Sequence, residues 1–475
     1  MDPVAKLADF VVSTRDGIPD GPRAHANGLL LDAFGVMLLG SRQDSYAATA
    51  SAFARMGLLA PGPATVFGTA PSPAGVFAAT ALNATAMHVS EMGEGVSRAV
   101  VHASNAVVPA AVAVAQRDGT DGASVLRALA LGMETVIRFG LLLNRPAGAT
   151  VEGDAAVAYK AGWWTPSALS GIGAATAVGV LRELSAERLV DAWTIALNCA
   201  PATTVPFVLS GASGKGVSMG AGCAGGAMAA DLAAAGVGGD RDVGSWAALV
   251  SPAPNPDRLS DGLGETWELD YPLYKYIATV GPLHPAIECA LAIVRRGRID
   301  PADIASVEVH GYARTAQFLG VARPPTEEAA KTSLKHVVAV ALATGDEGAF
   351  VSRAYEPAMR EDPEIGRLAD KVVAHVEPGF NREYPMLSAR NRLVVTLTDG
   401  QVLREEVDRD RIPRYHRPAR ADLDAKFARI VTGDPDDARC AAVADTVWAA
   451  ADQPFSRVVD AVSGLFAETF EGSRA

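Results

Sequence analysis

Residues 83–115 read NATAMHVSEMGEGVSRAVVHASNAVVPAAVAVA, and the rest of the chain is arranged around them. Two apolar stretches flank a polar insert: one predicted helix ends over residues 81–87, and the next begins over residues 107–115, opening with Pro109. Titratable side chains in such an apolar setting must be paired or shifted in pKa, which is typical of functional sites. The insert carries five of them within fifteen positions: His88, Glu91, Glu94, Arg98 and His102.

Composition and charge narrow the class of protein. The chain has 475 residues, 49% of them apolar, with 46 glycines and a formal net charge of −12. This length predicts two or three domains with a large core. A nucleic-acid-binding protein would show a basic face, so we expect no nucleic-acid partner. An anionic substrate would have to be held by a local cluster of cations rather than by the overall field.

The cysteines and the uncharged segments predict a cytoplasmic protein. Residues 199, 223, 289 and 440 are cysteines without CxxC spacing in small, apolar surroundings, which predicts four buried thiols. The first residues lack the basic and apolar regions of a signal peptide. Residues 161–181 and 193–214 are uncharged and long enough to span a membrane. Their Pro, Gly, Ser and Thr content favours interior helices and turns, so we expect no membrane association.

The chain pattern predicts a mainly α fold with an inserted α+β domain. Helices are expected over 4–60, 122–143, 166–182, 186–200, 223–235 and 421–472, with starts or caps at Asp20, Asp121 and Ser185. From Trp267 onward, strands are expected at 304–311, 372–378 and 392–407, with a hairpin at Asp399-Gly400 and helices at 284–296 and 330–343. We therefore predict a large helical domain from residues 1–267 and 413–475, and a smaller α+β lid domain at 268–412.

Several motifs have alternative interpretations. Gly216 to Gly220 matches the GxSxG nucleophile elbow around Ser218, but the α/β hydrolase alternation of strands and helices is missing. Gly220 to Gly225 matches GxGxxG without a βαβ unit, and close helix packing is the simpler explanation. His88, Glu91 and Glu94 have a spacing that could hold a metal, yet there is no HExxH, so we expect no metal.

Single residues also have structural alternatives. Lys215 is predicted to lie in a Gly-rich loop over 211–226, where it is either functional or a surface lysine. Lys275 could instead form an interdomain salt bridge, and His284, before a proline, could cap a helix. Considered alone, His102 would be interpreted as a core histidine whose ring forms a hydrogen bond with the backbone.

Together these positions resemble the MmgE/PrpD superfamily, which includes 2-methylcitrate dehydratase, cis-aconitate decarboxylase and iminodisuccinate epimerase. Six stretches occur in the family's order: LLDAFG (30–35), ALNATAMH (81–88), HASNAVVPA (102–110), GKGVSMGAGCAG (214–225), KYIATVGPLHPAI (275–287) and AKTSLKH (330–336). The resemblance implies a helical domain with an α+β lid, a homodimer, and chemistry without a cofactor. Its substrates would be small di- and tricarboxylates.

The resemblance also suggests roles for individual residues. We expect His102 to be the acid/base group and Lys215 and Lys275 to hold carboxylates and offset developing charge. The chain departs from the family at Gly93, where the family carries an acidic residue, and near Gly320, where the decarboxylases carry a tyrosine. Trp164 replaces a second active-site histidine, and His336 replaces a tyrosine. We expect substrate contacts from His88, Glu91, Arg98, Trp164, His284 and His336.

The predicted activity is that of a cofactor-independent lyase or isomerase that removes a proton alpha to a carboxylate. Dehydration is favoured, with decarboxylation and epimerisation as alternatives. A non-catalytic paralogue that binds a carboxylate or a partner is the rival from another class, because a histidine and an acid are replaced. Neither the substrate nor the pathway follows from the sequence.

Overall fold

The computed structural model describes residues 2–145, 156–297, 299–383 and 389–471. Its first half is helical, with a short antiparallel pair of strands, β1 (Ala64–Val66) and β2 (Ser72–Ala74). The helices are α1 (Pro3–Thr14), α2 (Asp20–Ser41), α3 (Asp44–Arg55), α4 (Val76–Val89), α5 (Ala103–Asp118), α6 (Gly122–Asn144), α7 (Val157–Lys160), α8 (Thr165–Ala168), α9 (Ser170–Leu181), α10 (Ala186–Asn198), α11 (Val205–Leu209), α12 (Gly214–Ala234) and α13 (Val243–Val250).

The second half mixes helices with a four-stranded sheet. The strands are β3 (Ile304–Gly311), β4 (Val372–Val376), β5 (Arg390–Leu397) and β6 (Val402–Asp408). The helices are α14 (His284–Arg296), α15 (Ala313–Gln317), α16 (Glu327–Lys331), α17 (Leu334–Thr344), α18 (Pro357–Arg360), α19 (Pro363–Asp370), α20 (Pro378–Glu383), α21 (Pro413–His416), α22 (Arg420–Val431), α23 (Ala438–Trp448) and α24 (Phe455–Glu471). The predicted mainly α fold with a smaller α+β unit is confirmed.

The sheet has the order β4-β3-β5-β6, with β4 parallel to β3 and the other pairs antiparallel. The predicted strands are confirmed, and the Asp399-Gly400 hairpin joins β5 to β6, with Gly400 at φ 89°. Helices α14 and α17 pack on one face of the sheet. The other face carries polar side chains on β3 and β4 that remain partly exposed.

Helix α12 lies at the centre of the helical part, between α4 and α9. A Cβ on Gly220 would clash with the carbonyl oxygen of Ala81, and one on Gly222 would clash with the side chain of Ser170, whereas Gly225 has open space around it. Close helix packing, which needs small residues where helices approach, therefore explains the first two glycines of the GxGxxG match.

One local prediction for this region is wrong. The Gly-rich stretch is not a loop, because α12 already begins at Gly214, and Lys215 lies in its first turn. Ser218 lies inside α12, and residues 205–209 before it form helix α11 rather than the strand that a nucleophile elbow needs. The nucleophile elbow of a serine hydrolase is thus not formed here.

Capping decides where the helices begin. The predicted caps at Asp121 and Ser185 are confirmed, since each side chain accepts from the backbone N–H three residues later. Helix α5, by contrast, begins at Ala103 rather than near residue 107, so Pro109 lies inside it and the prediction that Pro109 opens the helix is wrong. The Glu94 carboxylate caps this helix by accepting from the N–H groups of Ala103 and Ser104.

The two ends of the chain pack together, because α22 lies against α2. The buried Lys426 on α22 pairs there with the buried Asp32 on α2. The predicted domain boundaries at 267/268 and 412/413 remain a prediction.

Cysteine burial corrects one expectation. All four cysteines are free thiols, but Cys199 is exposed because it follows the last turn of α10 at the surface. Among the described helices, none combines the length and the apolar character needed to cross a bilayer.

Candidate active site

A pocket lies where the helical part meets the segment from residue 273 to residue 318. Apolar and small residues form most of its wall. Its polar and aromatic lining comes from both sides: Glu91, Ser97, His102, Trp164, Lys215, Lys275, Arg314 and Phe318. The predicted set His102, Lys215 and Lys275 therefore lines one pocket. Concave, mostly apolar sites with a few convergent polar groups are the usual form of small-molecule sites.

The loop between α4 and α5 forms one wall of the pocket. It is tied to the segment bearing Lys275 by a pair of hydrogen bonds between Gly95 and Leu273, of 3.1 and 2.7 Å. Two of its residues adopt left-handed backbone conformations, Glu91 at φ 56° and Val100 at φ 54°. Such conformations are costly for residues other than glycine, above all for a β-branched valine, and they cluster at functional sites.

His102 is held in a single tautomer. Its Nδ1 lies 2.6 Å from the carbonyl oxygen of Glu94, and because that oxygen can only accept, Nδ1 carries the proton. Nε2 then has a free lone pair and forms no hydrogen bond with the described residues. Burial, together with the charges of Lys275 and Lys215, lowers the pKa of His102 to about 3, so the ring is neutral near pH 7. This arrangement suits a general base.

Glu91 lies between the two lysines of the pocket. Its Oε1 accepts from the Nζ of Lys215, and its Oε2 lies 3.9 Å from the Nζ of Lys275. Burial would raise the pKa of the Glu91 carboxyl, but the two lysines outweigh it and lower that pKa to about 2. Burial, with the charge of Lys215, lowers the pKa of Lys275 to about 8 in spite of Glu91. Lys215 also lies 5.1 Å from the ring centre of Trp164.

Three lysines from different parts of the chain donate hydrogen bonds to backbone carbonyls at the end of α4 and in the turn after it. Lys331 donates to the carbonyl of Val89 at 3.2 Å, Lys275 to that of Glu91 at 3.2 Å, and Lys426 to that of Met92 at 3.4 Å. Carbonyls at a helix C-terminus lack intrahelical partners and form its negative end, so cations stabilise them. The position of Glu91 and of the loop leading to His102 therefore depends on these lysines.

His88 and Trp164 lie behind these charged groups. The His88 ring meets His102 edge-on at 5.2 Å and lies 6.4 Å from Trp164. Burial and the charge of Lys215 keep the pKa of His88 well below its usual value. The His88 Nε2 and the Trp164 Nε1 are buried, and neither has a hydrogen-bond partner among the described residues. Trp164 lines the pocket and His88 lies behind it, and the indole can donate but cannot act as a base.

Besides His88, three predicted substrate contacts lie outside the pocket lining. Arg98 pairs with Glu268 and stacks 4.1 Å over Tyr271, so its guanidinium is already occupied. The His284 Nε2 donates to the carbonyl of Thr279 at 3.2 Å, and the His336 Nε2 to that of Ala354 at 2.7 Å. Both histidines are fully buried in the core. The structure thus places these three residues as structural groups around the site.

The structure also shows site residues that we did not predict. Arg314, just after β3, brings a third cation to the pocket wall and lies 4.0 Å over the ring of Tyr159, and Phe318 follows on the same wall. Lys331 lies within the motif AKTSLKH, so its position could have been noticed. The Glu94 carboxylate caps α5 while its backbone carbonyl accepts from His102, and the Glu91 carboxylate is paired with Lys215.

Two family models and a named relative match most of the chain. The family model described as MmgE/PrpD N-terminal domain matches residues 5–248, and the MmgE/PrpD C-terminal domain matches residues 278–450. Cis-aconitate decarboxylase of Aspergillus terreus is 24% identical over 424 residues, which cover 83% of this chain and 82% of that protein. Two matched family domains in order over most of the chain confirm the resemblance seen in the sequence motifs, and the chain belongs to the MmgE/PrpD family.

Proposed function

We propose that this protein is a cofactor-independent lyase that removes a proton alpha to a carboxylate of a small di- or tricarboxylate, with dehydration as the favoured outcome. The observation that carries the proposal is the hydrogen bonding and position of the His102 ring. Its neutral imidazole donates Nδ1–H to Glu94 and keeps the Nε2 lone pair free, in the same pocket as Lys215 and Lys275. A carbon acid of this kind needs a positioned base and cations near the enolate-like charge.

The charge balance of the pocket fits an anion with more than one carboxylate. Lys215, Lys275 and Arg314 are cationic, and Glu91 is the acidic residue among the lining side chains that the structure describes. With His102 neutral, Lys215 and Lys275 together exceed the carboxylate of Glu91 by one positive charge, and Arg314 lies on the same wall. Because the protein as a whole is negative, this local excess is what would attract such a substrate.

Substrate binding would make His102 a stronger base. Before substrate binds, the pKa of His102 is lowered by burial and by the lysine charges. A bound carboxylate beside Lys215 and Lys275 offsets these charges, so the imidazole regains affinity for a proton when the substrate is in place. Proton transfer is most efficient when the pKa of the base lies near the working pH.

In the favoured dehydration, His102 Nε2 takes the proton from the carbon alpha to the substrate carboxylate. The C–O bond to the neighbouring hydroxyl breaks, and the hydroxyl takes a proton from Lys275 and leaves as water. A pKa near 8 allows this lysine to donate a proton at neutral pH. Exchange with solvent then returns the proton from His102 to Lys275.

Decarboxylation is the second candidate, because the relative from Aspergillus terreus is named for that reaction. Epimerisation would follow if the carbanion is reprotonated on its other face. A non-catalytic paralogue that binds a carboxylate or a partner remains the rival from another class, since Trp164 cannot replace the acid/base function of a histidine. A homodimer and a cytoplasmic location belong to the proposal as well, and light scattering tests the first.

The test is a panel of di- and tricarboxylates incubated with the protein in deuterated buffer and followed by NMR. Deuterium incorporation supports the carbanion, and the product then shows whether water or carbon dioxide is lost or a centre is inverted. His102→Ala and Lys275→Ala should each lower turnover by about 100-fold or more. His25→Ala, at a partly exposed histidine paired with Asp270, is the control. Binding without any exchange across the panel would support the non-catalytic rival instead.

A further inference from the structure

We propose that the exposed face of the lid sheet binds a divalent transition metal of the Zn²⁺ class through Glu308, His310 and His375. These three residues are called the sheet cluster below. They lie on β3 and β4, on the face of the sheet opposite α14 and α17, and they do not line the pocket described above. Metal binding here is therefore independent of the proposed reaction.

The strand register brings the cluster together. His310 and His375 are direct partners in the parallel pair of β3 and β4. Glu308 precedes His310 by two residues, and side chains two apart on a strand lie on the same face. The two imidazole rings are stacked, with their centres 4.9 Å apart. The backbone thus positions all three side chains before any ion binds.

The distances are close to those of a ligand set. The Oε2 of Glu308 lies 3.5 Å from the Nε2 of His310 and 3.7 Å from the Nε2 of His375. One ligand atom from each residue can be chosen so that all lie within 4.8 Å of one another. Tetrahedral zinc with bonds of about 2 Å separates its ligand atoms by about 3.3 Å. Small rotations of these partly exposed side chains would close the remaining difference.

A supporting carboxylate orients His310. Its Nδ1 lies 3.0 Å from the Oε1 of Glu377, which also accepts from Arg392 at 2.7 Å. Arg392 and the Nδ1 of His310 thus meet the same oxygen of Glu377, which turns the Nε2 of His310 toward the cluster. Histidines that bind metals usually donate their other ring N–H to a carboxylate in this way.

The donor set selects the class of metal. Two imidazole nitrogens and one carboxylate oxygen suit Zn²⁺ and its neighbours, whereas Ca²⁺ and Mg²⁺ need more oxygen ligands. Three protein ligands leave a fourth position for water or another ligand, and the partial exposure of the cluster gives an ion access. The competing explanation is a plain ion pair, in which protonated imidazoles hold the Glu308 carboxylate.

The experiment uses the full chain with any polyhistidine tag removed. Calorimetric titration with ZnCl₂ should give one saturable site per chain, and Co²⁺ at the same site should show the intense visible absorption of four-coordinate cobalt. His375→Ala and Glu308→Gln should each weaken Zn²⁺ binding at least tenfold. Glu377→Gln should weaken it about 10- to 100-fold while the stoichiometry stays the same.

His25→Ala is the matched control, because this histidine also faces a carboxylate but lies outside the cluster. It should leave the affinity unchanged. Circular dichroism shows whether each variant keeps its fold, which is expected because His375 is about half exposed. The proposal is overturned if wild-type protein shows no saturable site, or if His375→Ala and Glu308→Gln bind Zn²⁺ as tightly as wild type does.

Discussion

The replacement Glu91→Gln should move the basic limb of the pH–activity profile to lower pH. The proposed reaction needs Lys275 in its charged form, so activity falls as pH rises through the pKa of this lysine. In the wild type that pKa is about 8, lowered from the ordinary value by burial. The neighbouring Glu91 carboxylate opposes this lowering. Removing its negative charge therefore lowers the pKa of Lys275 further.

The size of the effect follows from the geometry. Glu91 Oε2 lies 3.9 Å from Lys275 Nζ, and both side chains are buried, so screening by salt is weak. Two unit charges about 4 Å apart interact by about 4 kcal/mol at an effective dielectric constant of about 20. One pH unit corresponds to about 1.4 kcal/mol, which sets an upper limit of about three pH units on the movement of the limb. Relaxation around the glutamine reduces this, and we expect a movement of at least about one.

The assay measures kcat/KM between about pH 5 and pH 10 for the best substrate of the panel, because this ratio reports pKa values of the free enzyme. Since the pKa of His102 is about 3, no acidic limb from His102 is expected in this range. Glu268→Gln is the matched control, because Glu268 also pairs with a cation, Arg98, but outside the pocket. A wild-type profile with no basic limb near pH 8, or the same limb in Glu91→Gln as in the wild type, would refute this account of the pocket.

Three further predictions test the base, the packing and the buried ion pair. His102→Ala should lower proton exchange about 100-fold or more, and a rate close to that of the wild type in the NMR assay would remove the base from the mechanism. Gly220→Ala should lower the free energy of unfolding by about 1–3 kcal/mol in urea titrations. Gly225→Ala, in open space on the same helix, should leave that free energy unchanged or slightly raised, and equal losses in both would contradict close packing. Lys426→Met should cost about 3–5 kcal/mol in the same titrations by leaving Asp32 buried without its cation, and Asp32→Asn in addition should recover part of this loss.

Much of the fold was predictable because its signals are local. Apolar periodicity identified α2, and the caps at Asp121 and Ser185 identified the starts of α6 and α10. The Gly-rich start of α12 was misjudged for a physical reason. Glycine disfavours an isolated helix by about 1 kcal/mol per residue, so a run of glycines indicates a loop. In the folded chain, contact with α4 and α9 overrides that preference, and packing of this kind is not encoded in the segment itself.

The start of α5 was misjudged for a related reason. A proline usually marks the first turn of a helix, and Pro109 was taken as that mark. The helix starts earlier because the carboxylate of Glu94, nine residues before Ala103, accepts from its N–H. A cap supplied from outside the immediate N-cap position has no fixed spacing, so the sequence pattern does not show it.

The site was predictable where its residues are close in sequence or lie in a family motif. His102 and Glu91 belong to one polar insert, whereas Lys426 contacts the same turn from 334 positions away. Arg98 lies in the insert too, but its partner Glu268 is remote in sequence, so nothing near Arg98 indicates that its charge is already used. Sequence proximity therefore identified one wall of the pocket, and only the fold identified which cations line it.

The lysines at the end of α4 explain why the pH profile is the sharper test of mechanism. Lys275 brings charge to the pocket and also holds the carbonyl of Glu91, in a loop with two left-handed residues. Replacing Lys275 removes both the charge and this support, so a loss of activity would follow from either. Glu91→Gln keeps a side chain of the same size, whose amide oxygen can still accept from Lys215, and removes only the negative charge. A basic limb that moves in this variant, while the fold is unchanged, must therefore report the electrostatics of the pocket.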